Sequence, residues 1–269
     1  MQIEKPKKRS QLRKKFGKEY FCLKQRLEWM TSKEKFAHEI DLSPLPHSVF
    51  KHQSKLLRRL KDVDMYLQHN KIVNLRIAIK PINGIIIQPG ETFSLWKLVG
   101  RTTKRKGYLE GMTLSNGQVT KGIGGGLCQL GNLIYWMALH SPLEVTKRWR
   151  HSYDVFPDVN RKVPFGAGAT LSYNYIDLAL KNNTNVPIQL NVWLDKTHLH
   201  GEFRSAVEFN KQYEVFERNH KFELQWWGGY TRHNEIWRTI SDQTTNEVKE
   251  ELVTENHAVM MYNPLLSYS

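Results

Sequence analysis

Cys128, Gln129 and His151 are the residues of this 269-residue chain whose types and spacing suit covalent chemistry. The cysteine follows the loop Gly124-Gly125-Gly126-Leu127 and opens an apolar stretch that reads as a buried helix: Leu130, Leu133, Ile134, Met137 and Leu139. Ser141-Pro142 stops that helix, since proline cannot continue the hydrogen-bond ladder. A thiol in the first turn of a helix faces unpaired N–H groups and the positive end of the helix dipole. Both favour thiolate, the nucleophilic form of cysteine. Gly124, Gly125 and Gly126 are read as an oxyanion and substrate loop that leaves the sulfur uncovered. His151 is the candidate base and Gln129 the candidate amide donor to an oxyanion. Such a set performs acyl transfer through a thioester. Beside it stands the plainer reading, in which a lone cysteine is an inert core residue. A nucleotide loop is excluded, because Cys128-Gln129 stands where Lys-Ser/Thr is needed and the glycines do not spell G-x-G-x-x-G.

Four segments, Pro89-Gly90-Glu91-Thr92-Phe93-Ser94, Gly107-Tyr108, Gly124-Gly125-Gly126-Leu127-Cys128-Gln129 and Arg150-His151-Ser152, together resemble the VanW family, from about Asn70 to about Arg204. Members accompany B-type vancomycin resistance and occur as domains in Gram-positive cell-wall proteins. The resemblance implies a role in glycopeptide resistance or peptidoglycan metabolism. It further implies L,D-transpeptidase-like acyl transfer with Cys128 as nucleophile, on a peptidoglycan stem peptide or its precursor. Its alternative is a non-catalytic accessory protein that binds the same precursor. Relatives usually continue after the histidine with Gly-x-Asp-Ala-Thr-Val. Here Gly166-Ala167-Gly168-Ala169-Thr170-Leu171 puts Gly168 at the place of the acid. Candidates to orient His151 instead are Asp154, Asp158, Asp177 or an asparagine.

The elements that must position these groups are read from periodicity. Ile72, Leu75, Ile79 and Ile82 fit a helix, although Val73, Leu75, Ile77 and Ile79 alternate as in a strand; the resemblance tips the reading to helix. Asn83-Gly84 turns the chain, Ile85–Ile87 is a short buried strand, and Pro89-Gly90 turns it again. Asn116-Gly117 predicts a tight hairpin leading into the cysteine loop. Strands are expected over Leu143–Arg150 ending at His151, along Ala169, Leu171, Tyr173 and Tyr175, and over Val186–Leu194. Further strands are expected around Tyr230–Ile240 and Val248–Thr254. The fold class is α+β, a buried helix on a mainly antiparallel sheet, with site residues in papain- or transglutaminase-like order. Residues 1–69 read as a basic, mainly helical extension broken at Ser43-Pro44-Leu45-Pro46, residues 70–205 as the core domain, and residues 206–269 as a β-rich extension packed on it.

Charge is uneven: residues 1–35 hold twelve Lys/Arg against four Glu, a balance of +8 within a total of +14. Such a segment suits an anionic membrane surface, with nucleic acid as a second class of partner. No zinc-finger or RNP signature supports a specific nucleic-acid site. No apolar run is long enough to cross a membrane and none follows the basic start, so a cytoplasmic protein, peripheral at the inner membrane face, is expected without a signal peptide. No cofactor is called for. His198 and His200 share a strand face, but with no acidic or cysteine ligand evident beside them they read as solvated rather than metal-binding. Trp226-Trp227-Gly228-Gly229 reads as aromatic packing where a strand meets a turn, and Glu91 as a turn residue.

Overall fold

A computed structural model describes residues 10–58, 64–115, 117–150, 152–157 and 163–266. In chain order its elements are α1 (Gln11–Thr31), β1 (Lys35–Phe36), β2 (Glu39–Ile40), β3 (His47–Lys55), α2 (Met65–Ile79), β4 (Ile85–Ile87), β5 (Glu91–Ser94) and α3 (Leu95–Val99). There follow β6 (Glu110–Ser115), β7 (Gln118–Ile123), α4 (Cys128–Leu139), β8 (Glu144–Lys147), β9 (Tyr153–Asp154), β10 (Ala179–Lys181), β11 (Ile188–Leu194) and β12 (His198–Ser205). Three long strands close the chain: β13 (Lys211–Leu224), β14 (Tyr230–Asp242) and β15 (Val248–Met260).

The architecture is α+β with mostly antiparallel sheets. One sheet runs β2-β4-β11-β12-β3, a second β1-β5-β10-β8, a third β13-β14-β15-β9, and β6 pairs with β7 alone. The apolar helix read from the sequence is α4, which lies against β3, β12 and β8. Its close approach depends on Gly201 of β12, where an added Cβ would come within 3.0 Å of Leu133 and Met137. Leu130, Leu133, Ile134, Met137 and Leu139 are all buried there.

The hairpin at Asn116-Gly117 is borne out, with Ser115 opposite Gln118 and Gly117 at φ 75°. Asn116 itself lies outside the described residues. The helix over Ile72–Ile79 and the strand Ile85–Ile87 also form as expected. Three expectations need correcting. Helical character at the N-terminus ends at Thr31, and β1, β2 and β3 follow because each finds a distant partner: β5, β4 and β12. The strand expected to reach His151 stops at Lys147. The alternating run Ala169–Tyr175 is no strand; beyond one bridge between Ser172 and Ile176 and a bond from Thr170 to the Trp149 carbonyl, its neighbours include Asn132 of α4, Cys22 of α1 and Trp96 of α3.

His140, just past the end of α4, stacks on Phe50 at 4.1 Å and meets the edge of Trp136 at 4.5 Å, with His52 at 6.2 Å from the same indole. Burial holds both histidines below their ordinary range. Unfolded histidines take up protons near pH 6.5, before these two do, so stability is lost as pH falls below about 6.5. Melting temperature should therefore drop less between about pH 7.5 and 5.5 in His140→Gln than in wild type, a comparison that cancels the other titrating groups. Equal drops would remove His140 from the acid response.

Candidate functional site

Cys128 is the first residue of α4, and the loop before it is fixed by backbone proximity and by α2. Gly125 lies against Gly111 of β6 so closely that an added Cβ on either would sit within 3.0 Å of the other's backbone. Gly124 and Gly126 adopt φ of 77° and 92°, the left-handed region that favours glycine. Asn74 of α2, fully buried, donates to the carbonyls of Gly125 at 2.9 Å and Leu109 at 3.1 Å and accepts from Leu109 N–H at 2.8 Å. Asn70 bonds the Glu110 carbonyl at 2.8 Å. The polar face of α2 thus holds the hairpin and the cysteine loop together, which accounts for the mixed periodicity of that helix.

Over Gly126 lies the stem of Lys71, a residue the sequence reading passed over. Its ammonium donates to Gln68 Oε1 at 2.8 Å, both residues are buried, and burial pushes its pKa down to about 8, with Arg58 adding repulsion. A lysine in an apolar helix looks like a solvated face. Only the missing side chain at Gly126 makes room to bury this one.

The helix start does not win at the sulfur. Backbone N–H groups of Leu171 and of Cys128 itself favour thiolate, yet burial outweighs them and raises the thiol above its ordinary value. Cys128 keeps part of its surface exposed, yet the atoms packed around its thiol raise it, contrary to the thiolate expected from the helix start. Gln129 also departs from its expected role. Its amide nitrogen donates to Ser54 Oγ and the Lys55 carbonyl, both at 2.9 Å, so it ties α4 to β3. Its Oε1, and Thr170 Oγ1 one residue before Leu171, are buried with no partner among the described residues.

His151 and Asp158 lie outside the described residues. The segment leading to His151 does approach the cysteine: Thr170 N–H donates to the Trp149 carbonyl at 2.7 Å, and Arg148 Nε to the Gly168 carbonyl at 2.9 Å. A cleft of about 280 Å³ opens here, lined by Thr170, Trp149, Arg150, Ser152, Tyr153 and the hairpin residues Leu114 and Gly117. Neither its wall nor that of a larger hollow of about 550 Å³ around Tyr108 and Gly122 includes Cys128 or Gln129.

Of the candidate orienting acids, Asp154 and Asp177 both have partners among the described residues. Asp154 pairs with Arg232 of β14 at 3.2 Å and accepts from Tyr262 at 2.9 Å, tying β9 to β14 across the third sheet. Asp177 accepts from Ser94 Oγ at 2.5 Å and from the N–H groups of Trp96 and Leu178 at 2.9 Å, capping α3; burial still pushes its pKa up to about 6. The Pro89–Ser94 motif is architectural in the same way, since Glu91 accepts from Gln88 N–H at 3.1 Å and Ser94 caps α3. At the place of the missing acid, Asn132 accepts from Ala169 N–H at 2.8 Å, and a Cβ on Gly168 would fall within 3.0 Å of Asn132 Oδ1. Asn132 is exposed, one turn beyond Cys128 on the same helix face. That i+4 spacing, in a helix otherwise apolar, was the available signal.

Other expectations resolve simply. His200 does have an acidic neighbour, Asp195 at 2.7 Å, and stacks on Trp193. Among the described residues no group of three or more His, Cys, Asp or Glu is arranged to hold a metal. Trp226, 81% exposed, stands on the turn between β13 and β14 against Trp227 rather than in packed core. No helix of the described residues is long and apolar enough to cross a membrane.

The family described as "VanW like protein" matches residues 70–204. The chain is 39% identical over 180 residues to the vancomycin B-type resistance protein VanW of Enterococcus faecalis (strain ATCC 700802 / V583), covering 67% of this chain and 66% of that one. It is 31% identical over 115 residues to the uncharacterized protein YoaR of Bacillus subtilis (strain 168), covering 43% and 36%. The matches thus span just under two thirds and about one third of those relatives' lengths. No solved structure matches significantly. With half of its length matched by that family, at the loop and helix that carry Cys128, this chain belongs to the VanW family.

Proposed function

We propose that this protein acts in vancomycin resistance and cell-wall metabolism, and that Cys128 carries out acyl transfer on a wall peptide or its precursor. The observation that carries the reading is the sulfur at the start of α4, faced by two backbone N–H groups. In the proposed step His151 takes the thiol proton and sulfur bonds the carbonyl carbon of an amide. The C–N bond breaks, and the leaving amine takes the proton from the imidazole. An acceptor amine or water then attacks the thioester and frees the sulfur. Burial keeps the resting thiol protonated, so attack waits for a base, and the incoming peptide lies beside Thr170. Its unpartnered hydroxyl, with Gln129 Oε1, supplies polar atoms for an incoming peptide.

A second reading, an accessory protein that binds wall precursor without turnover, draws on the raised thiol and on Gly168 at the place of the acid. Intact-mass analysis with a synthetic stem peptide separates the two. Acyl transfer predicts one covalent adduct per chain, mapped to Cys128 and absent in Cys128→Ala. Saturable peptide binding that survives Cys128→Ala, without an adduct, assigns the accessory role. Neither adduct nor binding would sink both.

A further inference from the structure

We propose that the outer face of α1 docks on an anionic lipid bilayer. Leu12, Phe16, Tyr20, Leu23, Leu27 and Met30 are spaced four, four, three, four and three apart, which at 100° per residue places them within an arc of about 80°. All six are between 51% and 80% exposed. The stripe runs about 27 Å along the helix. Soluble chains rarely leave an apolar patch of that continuity uncovered.

The stripe is not a helix awaiting its core, because the opposite face of α1 is already attached. Cys22 and Gln25 are buried, Cys22 Sγ contacts the Tyr173 carbonyl at 3.4 Å, and Asn174 Nδ2 donates to the Cys22 carbonyl at 3.3 Å. Arg26 bonds the Tyr173 hydroxyl at 3.2 Å, and Arg101 holds Glu19. The helix is therefore held with its apolar stripe turned outward.

Charge selects the occupant. The sequence of α1 holds six Lys/Arg against Glu19 and Glu28, and Lys5, Lys7, Lys8 and Arg9 precede it. One of the two acids is already bound by Arg101. A symmetric pairing of this face with a second copy would oppose cations with cations. A bilayer carrying anionic headgroups satisfies the apolar stripe and the cations together. The proposal stands independently of what the Cys128 thiol does. It has a bearing on that site, because α1 is tied to Tyr173 and Asn174, just beyond Leu171, whose N–H faces the sulfur.

Co-sedimentation of the full chain with phosphatidylcholine vesicles, with and without about one third phosphatidylglycerol, tests this. Binding to the anionic vesicles should exceed binding to neutral ones by about tenfold and weaken with salt. The triple variant Phe16→Glu/Leu23→Glu/Leu27→Glu, at exposed positions, should lower it by about tenfold or more. If the triple variant melts earlier than wild type, the milder pair Leu23→Ser/Leu27→Ser carries the same comparison. Absence of binding to anionic vesicles, or wild-type binding by the folded variants, overturns the proposal. A concentration-dependent dimer lost in those variants, without vesicle binding, gives the face to a second copy and overturns it equally.

Discussion

Replacing Gly125 by alanine should destabilise the protein by about 4 kcal/mol or more, among the largest effects of any single methyl group in this chain. The added Cβ would meet the carbonyl carbon and oxygen of Gly111 within 3.0 Å, and both are backbone atoms of a paired strand. A side chain could rotate away; here β6 or the cysteine loop must move. Neither is free to do so, since Asn74 bonds the Gly125 carbonyl while Asn70 and Asn74 hold Glu110 and Leu109. Ordinary overpacking costs about 1–3 kcal/mol, because side chains share the displacement. Gly90→Ala is the control. Gly90 has a φ of 79° but nothing within 4 Å of its added Cβ, so only the left-handed penalty of about 1–2 kcal/mol applies. Urea midpoints measure both. Equal losses in the two variants would show that Gly111 and Gly125 do not set the position of the loop. A displaced loop should also uncover the sulfur, so Cys128 in Gly125→Ala should react faster with an alkylating agent than in wild type.

Sequence patterns revealed the elements whose partners are local or whose pattern is strong. The hairpin needs only Asn116-Gly117 between two short runs, and α4 announces itself by apolar residues from Leu130 to Leu139, interrupted by Gly131-Asn132. β3 was not legible because its partner β12 lies some 150 residues away. β13 escaped notice because its charged residues, Glu214, Glu217 and Lys221 among them, look like a solvated loop. Its long pairing with β14, at the edge of the third sheet, makes it a strand. The run Ala169–Tyr175 misled in the opposite direction. Its alternation is real, but Ala169 meets Asn132 of α4 while Tyr173 meets Cys22 and Arg26 of α1. Two helices, rather than one sheet, impose that period.

The site was half legible for a similar reason. Residue type and helix position located Cys128, but whether its thiol is raised or lowered depends on what covers it, and that cover comes from other parts of the chain. Gln129 looked like an oxyanion donor until β3 was found to take its amide. The departure at Gly168 looked like a loss. In the structure Asn132 occupies the space a side chain there would need.

Lys71 offers the second large effect, and its sign runs against the usual rule that mutations destabilise. A folded pKa of about 8 against an ordinary value of 10.5 means that the native chain releases its proton before the unfolded chain does. Stability should therefore rise with pH from about 8 toward 10, and below about pH 8 the buried charge costs about 3 kcal/mol. Tyr108, pushed up to about 12 by burial, opposes this rise only where unfolded tyrosine ionises, above about pH 10. Lys71→Met keeps the stem over Gly126 and removes the charge, but it orphans Gln68 Oε1, a loss of about 1–3 kcal/mol. The pair Lys71→Met/Gln68→Leu removes both and should gain about 3 kcal/mol at pH 7, a gain that shrinks from pH 8 to 10, while the raised Cys128 thiol acts equally in both proteins. A stability difference between the double variant and wild type that stays constant over that range would show that the ammonium is not desolvated. A chain that tolerates a charge of this cost beside its cysteine loop has a reason to keep it, because buried ionisable groups with shifted pKa values cluster where chemistry or binding occurs. The same double variant should then bind a synthetic stem peptide more weakly than wild type while melting at a higher temperature. Stability and binding moving in opposite directions would assign Lys71 to the site rather than to the fold.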